Sequence, residues 1–308
     1  MKKVDYVRVD VFADKPFGGN PLAVFPDARG LSSEQMQLLA REMNLSETTF
    51  VLPSSPGSGG DFKVRIFTAD MEIPYAGHPT LGTFYVLARL GKIKLKGPMT
   101  TAMIEVKAGV LPVEIYSSKG KVDRVVTVQK PPVFGEVYED TELVAEALSL
   151  NTSDFMLDKA PIQLVSTGLP WLIATVRNRK AVEQAAPNAS AFTEAVKPLP
   201  KNVVDIYVTC LEPVDRTSTT HSRAFSLVSK AIVEDPATGS ASGCLGAYLV
   251  QKRLVSVKTV TSITNEQGYE IGRPSKIAIE VRSDSRSRIE SVRVGGSVVH
   301  MMDGVAFL

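Results

Sequence analysis

The chain has 308 residues, of which 44% are hydrophobic and 22% are charged, a composition typical of a globular protein with a sizeable core. Its 35 Lys and Arg residues against 33 Asp and Glu residues leave a formal net charge of +2. Because both signs are mixed along the chain, we expect no nucleic-acid partner and no membrane-surface partner. Cys210 and Cys244 form no CxxC motif, which argues against a disulfide framework and against a thiolate metal site.

Most of the predicted elements are strands. Alternation of polar and apolar residues predicts them at 6–12, 22–25, 49–52, 63–68, 104–107, 113–116, 124–128, 171–176, 205–209, 276–281 and 291–294. Helical spacing of apolar residues predicts helices at 32–43 with Ser32 as the N-cap, 79–90, 142–148 and 240–254. Strands and helices do not alternate one for one, which favours barrel-like sheets holding occasional helices over a doubly wound parallel sheet.

The N-terminus alternates polar and apolar residues where a signal peptide would have a continuous apolar stretch. No stretch approaches the ~18 apolar residues of a membrane helix. We therefore expect a cytoplasmic protein without a membrane partner.

An internal repeat organises the chain, because five pairs of landmarks recur in the same order about 150 to 160 residues apart. The pairs are Gly19-Asn20-Pro21 with Gly168-Leu169-Pro170, Phe50-Val51 with Tyr207-Val208, Arg65-Ile66-Phe67-Thr68 with Arg223-Ala224-Phe225-Ser226, His78 to Gly82 with Asp235 to Gly239, and Gly109 with Gly268. We expect an N-terminal half at 1–128, a C-terminal half at 129–290 with a helix-bearing insertion, and a strand region at 291–308 that returns to the N-terminal half.

If the halves pack about a pseudo-two-fold axis, equivalent loops face each other across a cleft, and His78 is opposed to Asp235. Each is predicted to open a helix, whose N-terminal N–H groups and dipole favour an anion. Asp235 and Thr238 are also residue types that cap helices, and the small residues Gly239 and Ser240 leave backbone N–H groups accessible. The predicted cleft therefore suits a small carboxylate.

Glu47 is the candidate acid/base. It lies between the first predicted helix and the strand that begins near Thr49, where desolvation by apolar strands would raise its pKa and allow proton exchange near neutral pH. The alternative is a surface glutamate in a turn. A site role is favoured because the aligned residue of the second half, Val204, is not a carboxylate, so the repeat does not need one there for its fold.

His78 lies among the small residues Gly77, Thr80 and Gly82, where a backbone can approach a ligand. It could bind substrate, position Glu47 or titrate, or it could be a structural hydrogen-bonding group.

Other signals argue against cofactor or metal chemistry. The GSGG stretch at 57–60 lacks the lysine and helix of a phosphate loop, and no GxGxxG motif opens a βαβ unit. His78, His221 and His300 lie far apart in sequence without an HxxxH pair, so no metal site is predicted. Cys244 and Trp171 are interpreted as core residues.

The motifs SETTFV, AGHPTLG and EDPATGSA, with FGGNPLAVF near the start and QGYEIGRPS near the end, resemble the PhzF-like family of phenazine-biosynthesis isomerases over nearly the whole chain. The resemblance implies an α+β fold similar to diaminopimelate epimerase. That fold has two pseudo-symmetric barrel-like halves, each around a central helix, with the site in the cleft between them. The resemblance also implies a homodimer that uses no cofactor.

The same resemblance implies that Glu47 is the acid/base and that Gly77, His78, Asp235 and Ser240 hold and polarise the substrate. In characterised relatives the reaction is the isomerisation of trans-2,3-dihydro-3-hydroxyanthranilate by proton transfer. The epimerases use two cysteines, which AGHPT and DPATGS lack, so thiol-based racemisation is not expected.

The leading hypothesis is thus a cofactor-independent isomerase that transfers a proton on a small cyclic or amino-acid-like carboxylate. The alternative is a non-catalytic member of the same fold that binds a metabolite or a protein.

Overall fold

The computed structural model describes residues 2–200, 203, 205–228 and 231–308. Its strands are β1 (Lys3–Val11), β2 (Asn20–Phe25), β3 (Glu47–Pro53), β4 (Phe62–Phe67), β5 (Glu72–Ile73), β6 (Met99–Val106), β7 (Gly109–Ser118), β8 (Lys121–Val128), β9 (Val133–Val137), β10 (Gln163–Ser166), β11 (Pro170–Thr175), β12 (Asp205–Cys210), β13 (Thr220–Val228), β14 (Ala231–Asp235), β15 (Val260–Gln267), β16 (Ser275–Ser283), β17 (Ile289–Gly296) and β18 (Val298–Phe307). Its α-helices are α1 (Ser33–Met43), α2 (Gly77–Arg89), α3 (Thr141–Ala147), α4 (Arg179–Gln184), α5 (Ala189–Val196) and α6 (Gly239–Gln251).

The chain divides into two compact units. Unit 1 comprises Met1–Val128 and Gly295–Leu308, and unit 2 comprises Gln129–Val294. No helix in the described ranges is long and apolar enough to cross a membrane.

In unit 1 the sheet wraps around α2. Strand β1 is antiparallel to β18 and to β2, β2 is parallel to β3, and β4 is antiparallel to β3 and parallel to β6, from which β7 and β8 continue as a meander. Helix α2 packs against β1, β2, β3, β7, β8 and β18, and its side chains are buried from His78 to Phe84. Helix α1 makes the crossover between the parallel strands β2 and β3 and packs on a separate cluster that includes Phe25, Phe50 and Phe67.

Unit 2 repeats this order of pairings. Strand β10 is antiparallel to β11, β11 is parallel to β12, and β13 is antiparallel to β12 and parallel to β15, which pairs with β16. Helix α6 packs against β10, β11, β15 and β16. The crossover from β11 to β12 contains the two helices α4 and α5 where unit 1 has α1. The predicted α+β fold of two similar halves, each around one helix, is confirmed.

Strand pairing shows that the sequence alignment of the two halves is wrong by one residue at β3. Arg65 and Arg223 are equivalent, because each forms a two-point ion pair with a glutamate on the next strand. Arg65 pairs in register with Phe50, and Arg223 pairs with Val208 rather than with Tyr207. Both β3 and β12 are buried on both faces along most of their length, so the apolar pattern could not distinguish one register from the next.

The corrected register changes the counterpart of Glu47. Counting three residues back from Phe50 and from Val208 aligns Glu47 with Asp205, the first residue of β12. Val204, the counterpart expected from sequence, lies outside the described residues. Both halves therefore carry a carboxylate at this position, contrary to the expectation from sequence.

The expected equivalence of His78 and Asp235 is also wrong. Helices α2 and α6 both have 13 residues and begin at Gly77 and Gly239, which makes Ser240 the counterpart of His78. Asp235 instead ends strand β14, four residues before α6 begins. The shared proline misled the alignment, because Pro79 lies in the first turn of α2, where proline is tolerated, whereas Pro236 precedes its helix.

Two glycines of α2 have opposite steric surroundings. A Cβ at Gly82 would lie 2.6 Å from Leu22 Cδ2 and 2.8 Å from Val11 Cγ2, so the helix approaches the sheet too closely for any side chain there. A Cβ at Gly77 would meet no atom within 4 Å.

We expect Gly82→Ala to lower the free energy of unfolding by roughly 1–3 kcal/mol, the usual cost of overpacking a core. The matched control Gly77→Ala, on the same helix, should leave stability unchanged or raise it by up to about 1 kcal/mol, because alanine has the higher helix propensity. Urea titrations of both variants test this. Equal stabilities would show that α2 can shift away from β1 and β2.

Candidate active site

The two central helices begin without a side-chain cap. Helices α1, α3, α4 and α5 are capped by side chains of Ser32, Asp140, Asn178 and Asn188. At α2 the N-cap residue is Ala76, and at α6 it is Thr238, and neither side chain accepts a hydrogen bond from its helix. Thr238 is therefore a capping residue type that does not cap. The first-turn N–H groups of a helix have no intrahelical acceptor, so both openings suit an anion.

Glu47 and His78 come together at the opening of α2. Glu47 is the first residue of β3, and His78 is the second residue of α2. Their atoms Oε2 and Nε2 lie 3.4 Å apart, with side-chain exposures of 17% and 8%. The structure thus pairs two of the residues that the sequence indicated for the site, within unit 1.

Burial keeps the His78 imidazole neutral. Desolvation lowers the pKa of His78 to about 3, although the nearby carboxylate would favour the imidazolium. Burial is the larger effect because the ring is almost fully removed from water. Among the described residues Nε2 has no hydrogen-bond partner, and a neutral imidazole can donate or accept there. His78 is therefore suited to bind a ligand group rather than to supply a positive charge.

At the opening of α6 the side chain of Thr238 turns to Asp235. The hydroxyl of Thr238 donates to Asp235 Oδ2. The Thr238 hydroxyl is oriented by Gln267, whose Nε2 donates to Thr238 Oγ1 at 2.9 Å and to the Asp235 carbonyl at 2.7 Å. Gln267 Oε1 accepts from Thr238 N and from the Tyr207 hydroxyl. The fully buried amide of Gln267 thus uses its two donors and two acceptor sites to orient Asp235.

The QGYEIGRPS motif supports the same segment from a second strand. Gly268 has φ +78°, and a Cβ there would lie 2.5 Å from the Pro236 carbonyl oxygen. The Ser275 hydroxyl donates to that carbonyl at 2.9 Å. From the sequence this motif indicated only the family resemblance and, through Gly268, a landmark of the repeat. Its contacts depend on the parallel pairing of β13 with β15, which no local pattern indicates.

Ser240, the second residue of α6, accepts a hydrogen bond from the indole Nε1 of Trp171 at 3.1 Å. Trp171 is 5% exposed, as expected for a core residue, but it also forms the wall beside this helix opening. Gly239 begins the helix, so the backbone N–H groups of Gly239 and Ser240 belong to its first turn.

Asp205 was not singled out from the sequence. It begins β12, as Glu47 begins β3, and burial raises the pKa of its carboxyl to about 6 against the lowering effect of a hydrogen bond from Ser226. The sequence signal that could have identified it is the arginine that both repeats share. The same count back from Arg65 and from Arg223 reaches Glu47 and Asp205.

The remaining titratable clusters are structural. His221 is fully buried, and burial opposes its protonation, but hydrogen bonds to Glu266 and Glu270 raise its pKa to about 9. Cys244 is buried within α6, and burial raises the pKa of its thiol to about 11. Within the described ranges no group of three or more His, Cys, Asp or Glu side chains is placed to hold a metal ion.

The chain shares its fold with an epimerase of known structure. The solved structure of a hydroxyproline epimerase from Agrobacterium vitis matches it with a TM-score of 0.66 at 12% identity, covering 99% of this chain and 91% of that one. At that identity the likeness concerns the fold alone.

The chain belongs to the phenazine biosynthesis-like protein family, PhzC-PhzF, whose family model matches residues 9–304. A PhzF family protein from Bacillus anthracis has a solved structure with a TM-score of 0.89 at 31% identity, covering all of both chains. A trans-2,3-dihydro-3-hydroxyanthranilate isomerase from Pseudomonas aeruginosa is 36% identical over 304 residues, 98% of this chain and 99% of the relative. The family resemblance is confirmed, and the protein is an isomerase.

We expect His78→Gln to weaken the fall in the free energy of unfolding as the pH is lowered below neutral. The folded protein keeps His78 neutral down to about pH 3, whereas an unfolded chain protonates histidine near pH 6.5. Between these values the unfolded state binds more protons, so the free energy of unfolding falls as pH falls, by up to about 1.4 kcal/mol per pH unit. Urea titrations from about pH 7 to about pH 4 should give a steeper decline for the wild type. Parallel declines would contradict a buried neutral imidazole.

We expect Thr238→Val to lower kcat/KM by about tenfold or more, because a hydrogen bond to a charged acceptor contributes about 1.5–3 kcal/mol. Thr238→Ser keeps the hydroxyl and should remain within about threefold of the wild type. Steady-state kinetics with a substrate that the wild type isomerises measure kcat/KM of both variants. Equal losses in the two variants would show that the hydroxyl does not act on Asp235.

Proposed function

We propose that the protein moves a proton between two atoms of a small cyclic or amino-acid-like carboxylate, with Glu47 as the acid/base. The observation that carries the proposal is the pair at the opening of α2, where the Glu47 carboxylate lies 3.4 Å from a buried, neutral His78. One carboxylate can accept a proton from one carbon and return it to another position, so no second base is required.

The substrate contacts proposed are those of Glu47, Gly77 and His78 in unit 1 and of Asp235, Gly239 and Ser240 in unit 2. Two physical features support them. The uncapped first turns of α2 and α6 suit the carboxylate of a substrate, and the open space at Gly77 leaves room for a ligand beside His78. Asp235, oriented by Thr238 and Gln267, can accept a hydrogen bond from a substrate donor.

The substrate class follows from the relatives. Those named trans-2,3-dihydro-3-hydroxyanthranilate isomerase include one that is 36% identical over nearly the whole chain. That molecule carries a carboxylate, an amino group and a ring hydroxyl, which suits two anion-binding helix openings and acceptor carboxylates. We propose it, or a molecule of the same chemical class, as the substrate.

In the proposed mechanism Glu47 begins as a carboxylate and takes a proton from a ring carbon. The electrons of that C–H bond shift into the conjugated system of the substrate, and Glu47, now protonated, returns the proton at another carbon. Neutral His78 and Asp235 hold the substrate polar groups during the transfer. Glu47 carries the proton throughout and the isomerisation involves no net oxidation or reduction, so we propose that no metal or organic cofactor takes part. We further propose a cytoplasmic homodimer, as the family resemblance implies.

We expect Glu47→Gln to reduce turnover by about 10²-fold or more, because the amide keeps the shape of the side chain but transfers no proton. In heavy water the wild type should incorporate deuterium into the product, and the variant should not. Glu42→Gln, at an exposed position on α1, is the control for loss of a glutamate charge. Full activity of Glu47→Gln would rule out Glu47 as the acid/base.

A further inference from the structure

The two units place a carboxylate at the same point of the same pairing pattern. In unit 1 the parallel register sets Leu22 beside Glu47. In unit 2 the parallel register sets Leu172 beside Ile206, so Trp171 lies beside Asp205 one residue earlier. Trp171 is therefore the parallel-strand neighbour of Asp205, as Leu22 is the parallel-strand neighbour of Glu47.

Asp205 lies on the sheet face that α6 covers. Side chains alternate along a strand, so Asp205 shares a face with Tyr207 two residues later. The Tyr207 hydroxyl lies 3.4 Å from Ser242 Oγ on α6 and donates to Gln267. Ile206, between them, instead packs in the separate apolar cluster formed with α3, α4 and α5.

The cross-strand neighbour of Asp205 contacts the N-terminal end of α6. This neighbour, Trp171, packs edge-on against Tyr207, with ring centroids 5.9 Å apart, and donates its indole N–H to Ser240 in the first turn of the helix. Unit 2 thus has Asp205 and Ser240 where unit 1 has Glu47 and His78. Asp205 accepts a hydrogen bond from Ser226, but burial still raises the pKa of its carboxyl, which means that this carboxylate would gain from a second hydrogen-bond donor brought by a ligand.

We propose that Asp205 is a substrate-binding residue that accepts a hydrogen bond from the amino group of the substrate, while the first turn of α6 binds the substrate carboxylate. The inference rests on the proposed function. In an amino-acid-like carboxylate the amino group lies within a few bond lengths of the carboxylate. An acceptor for the amino group is therefore needed beside the helix opening, and Asp205 provides one in addition to Asp235. The indole N–H of Trp171 is a donor and is directed to Ser240.

The test is a comparison of two ligands by isothermal titration calorimetry. 3-Hydroxyanthranilate has the carboxylate, amino and hydroxyl groups on an aromatic ring, and 3-hydroxybenzoate lacks only the amino group. The wild-type protein should bind the first at least about tenfold more tightly. Asp205→Val replaces the acceptor by a residue suited to strands. The preference of this variant for 3-hydroxyanthranilate over 3-hydroxybenzoate should fall to about twofold or less.

Two further variants serve as controls for this comparison. Asp205→Asn has the same shape and keeps an acceptor oxygen, so an intermediate preference is expected even if the valine variant folds poorly. Ile206→Val changes the neighbouring residue on the opposite face of β12 and should keep the wild-type preference.

The outcomes separate this inference from the proposed function. If the wild type converts trans-2,3-dihydro-3-hydroxyanthranilate but shows no preference for the amino ligand, or keeps its preference in Asp205→Val and Asp205→Asn, the role of Asp205 is wrong and the isomerase proposal stands. If the wild type neither converts that compound nor binds either ligand, both proposals fail. A preference lost in Asp205→Val and retained in Ile206→Val supports both.

Discussion

Everything at the candidate site depends on how each unit buries one helix inside its sheet. Helix α2 can lie against six strands because Gly82 has no side chain to keep it away from Leu22 and Val11. A helix held this closely cannot slide, so its first turn is fixed relative to the beginning of β3. That placement brings His78 to within 3.4 Å of Glu47, although the two residues are 31 positions apart in the chain.

Burial has a second consequence, which is electrostatic. A histidine beside a carboxylate would normally form an ion pair, but the low polarity around α2 keeps His78 neutral. The Glu47 carboxylate therefore lies 3.4 Å from a neutral ring rather than from an imidazolium.

The two units have one architecture but different side chains at the opening of the central helix. Both have an uncapped central helix and a carboxylate at the start of the equivalent strand. Unit 1 adds the imidazole of His78, while unit 2 adds the buried network in which Gln267 and Thr238 orient Asp235. The two halves thus share the uncapped helix and the carboxylate at the start of the strand, and the side chains around them differ.

The sequence by itself determined the family, the α+β class and the presence of two related halves, because these follow from motifs and from periodicities that local chain geometry imposes. Helix α1 is an example, since its capping box of Ser32 and Gln35 is a local interaction. Periodicity did not predict β5, β9, β10, β13, β14 or β15, and it gave no bounds for α4 and α5 in the expected insertion or for β18 in the expected strand region, because their local signals are weak.

Only the tertiary structure decided which residues of the two halves correspond. A buried strand looks apolar in every register, so hydrogen bonds between strands were needed to align Glu47 with Asp205 rather than with Val204. The start of a central helix is set by its packing in the sheet rather than by a capping side chain, so the position of Asp235 at the end of β14 could not be read from EDPATGSA. The role of Gln267 likewise required strand pairing, because its four hydrogen bonds join residues that are 29 to 60 positions apart in the chain.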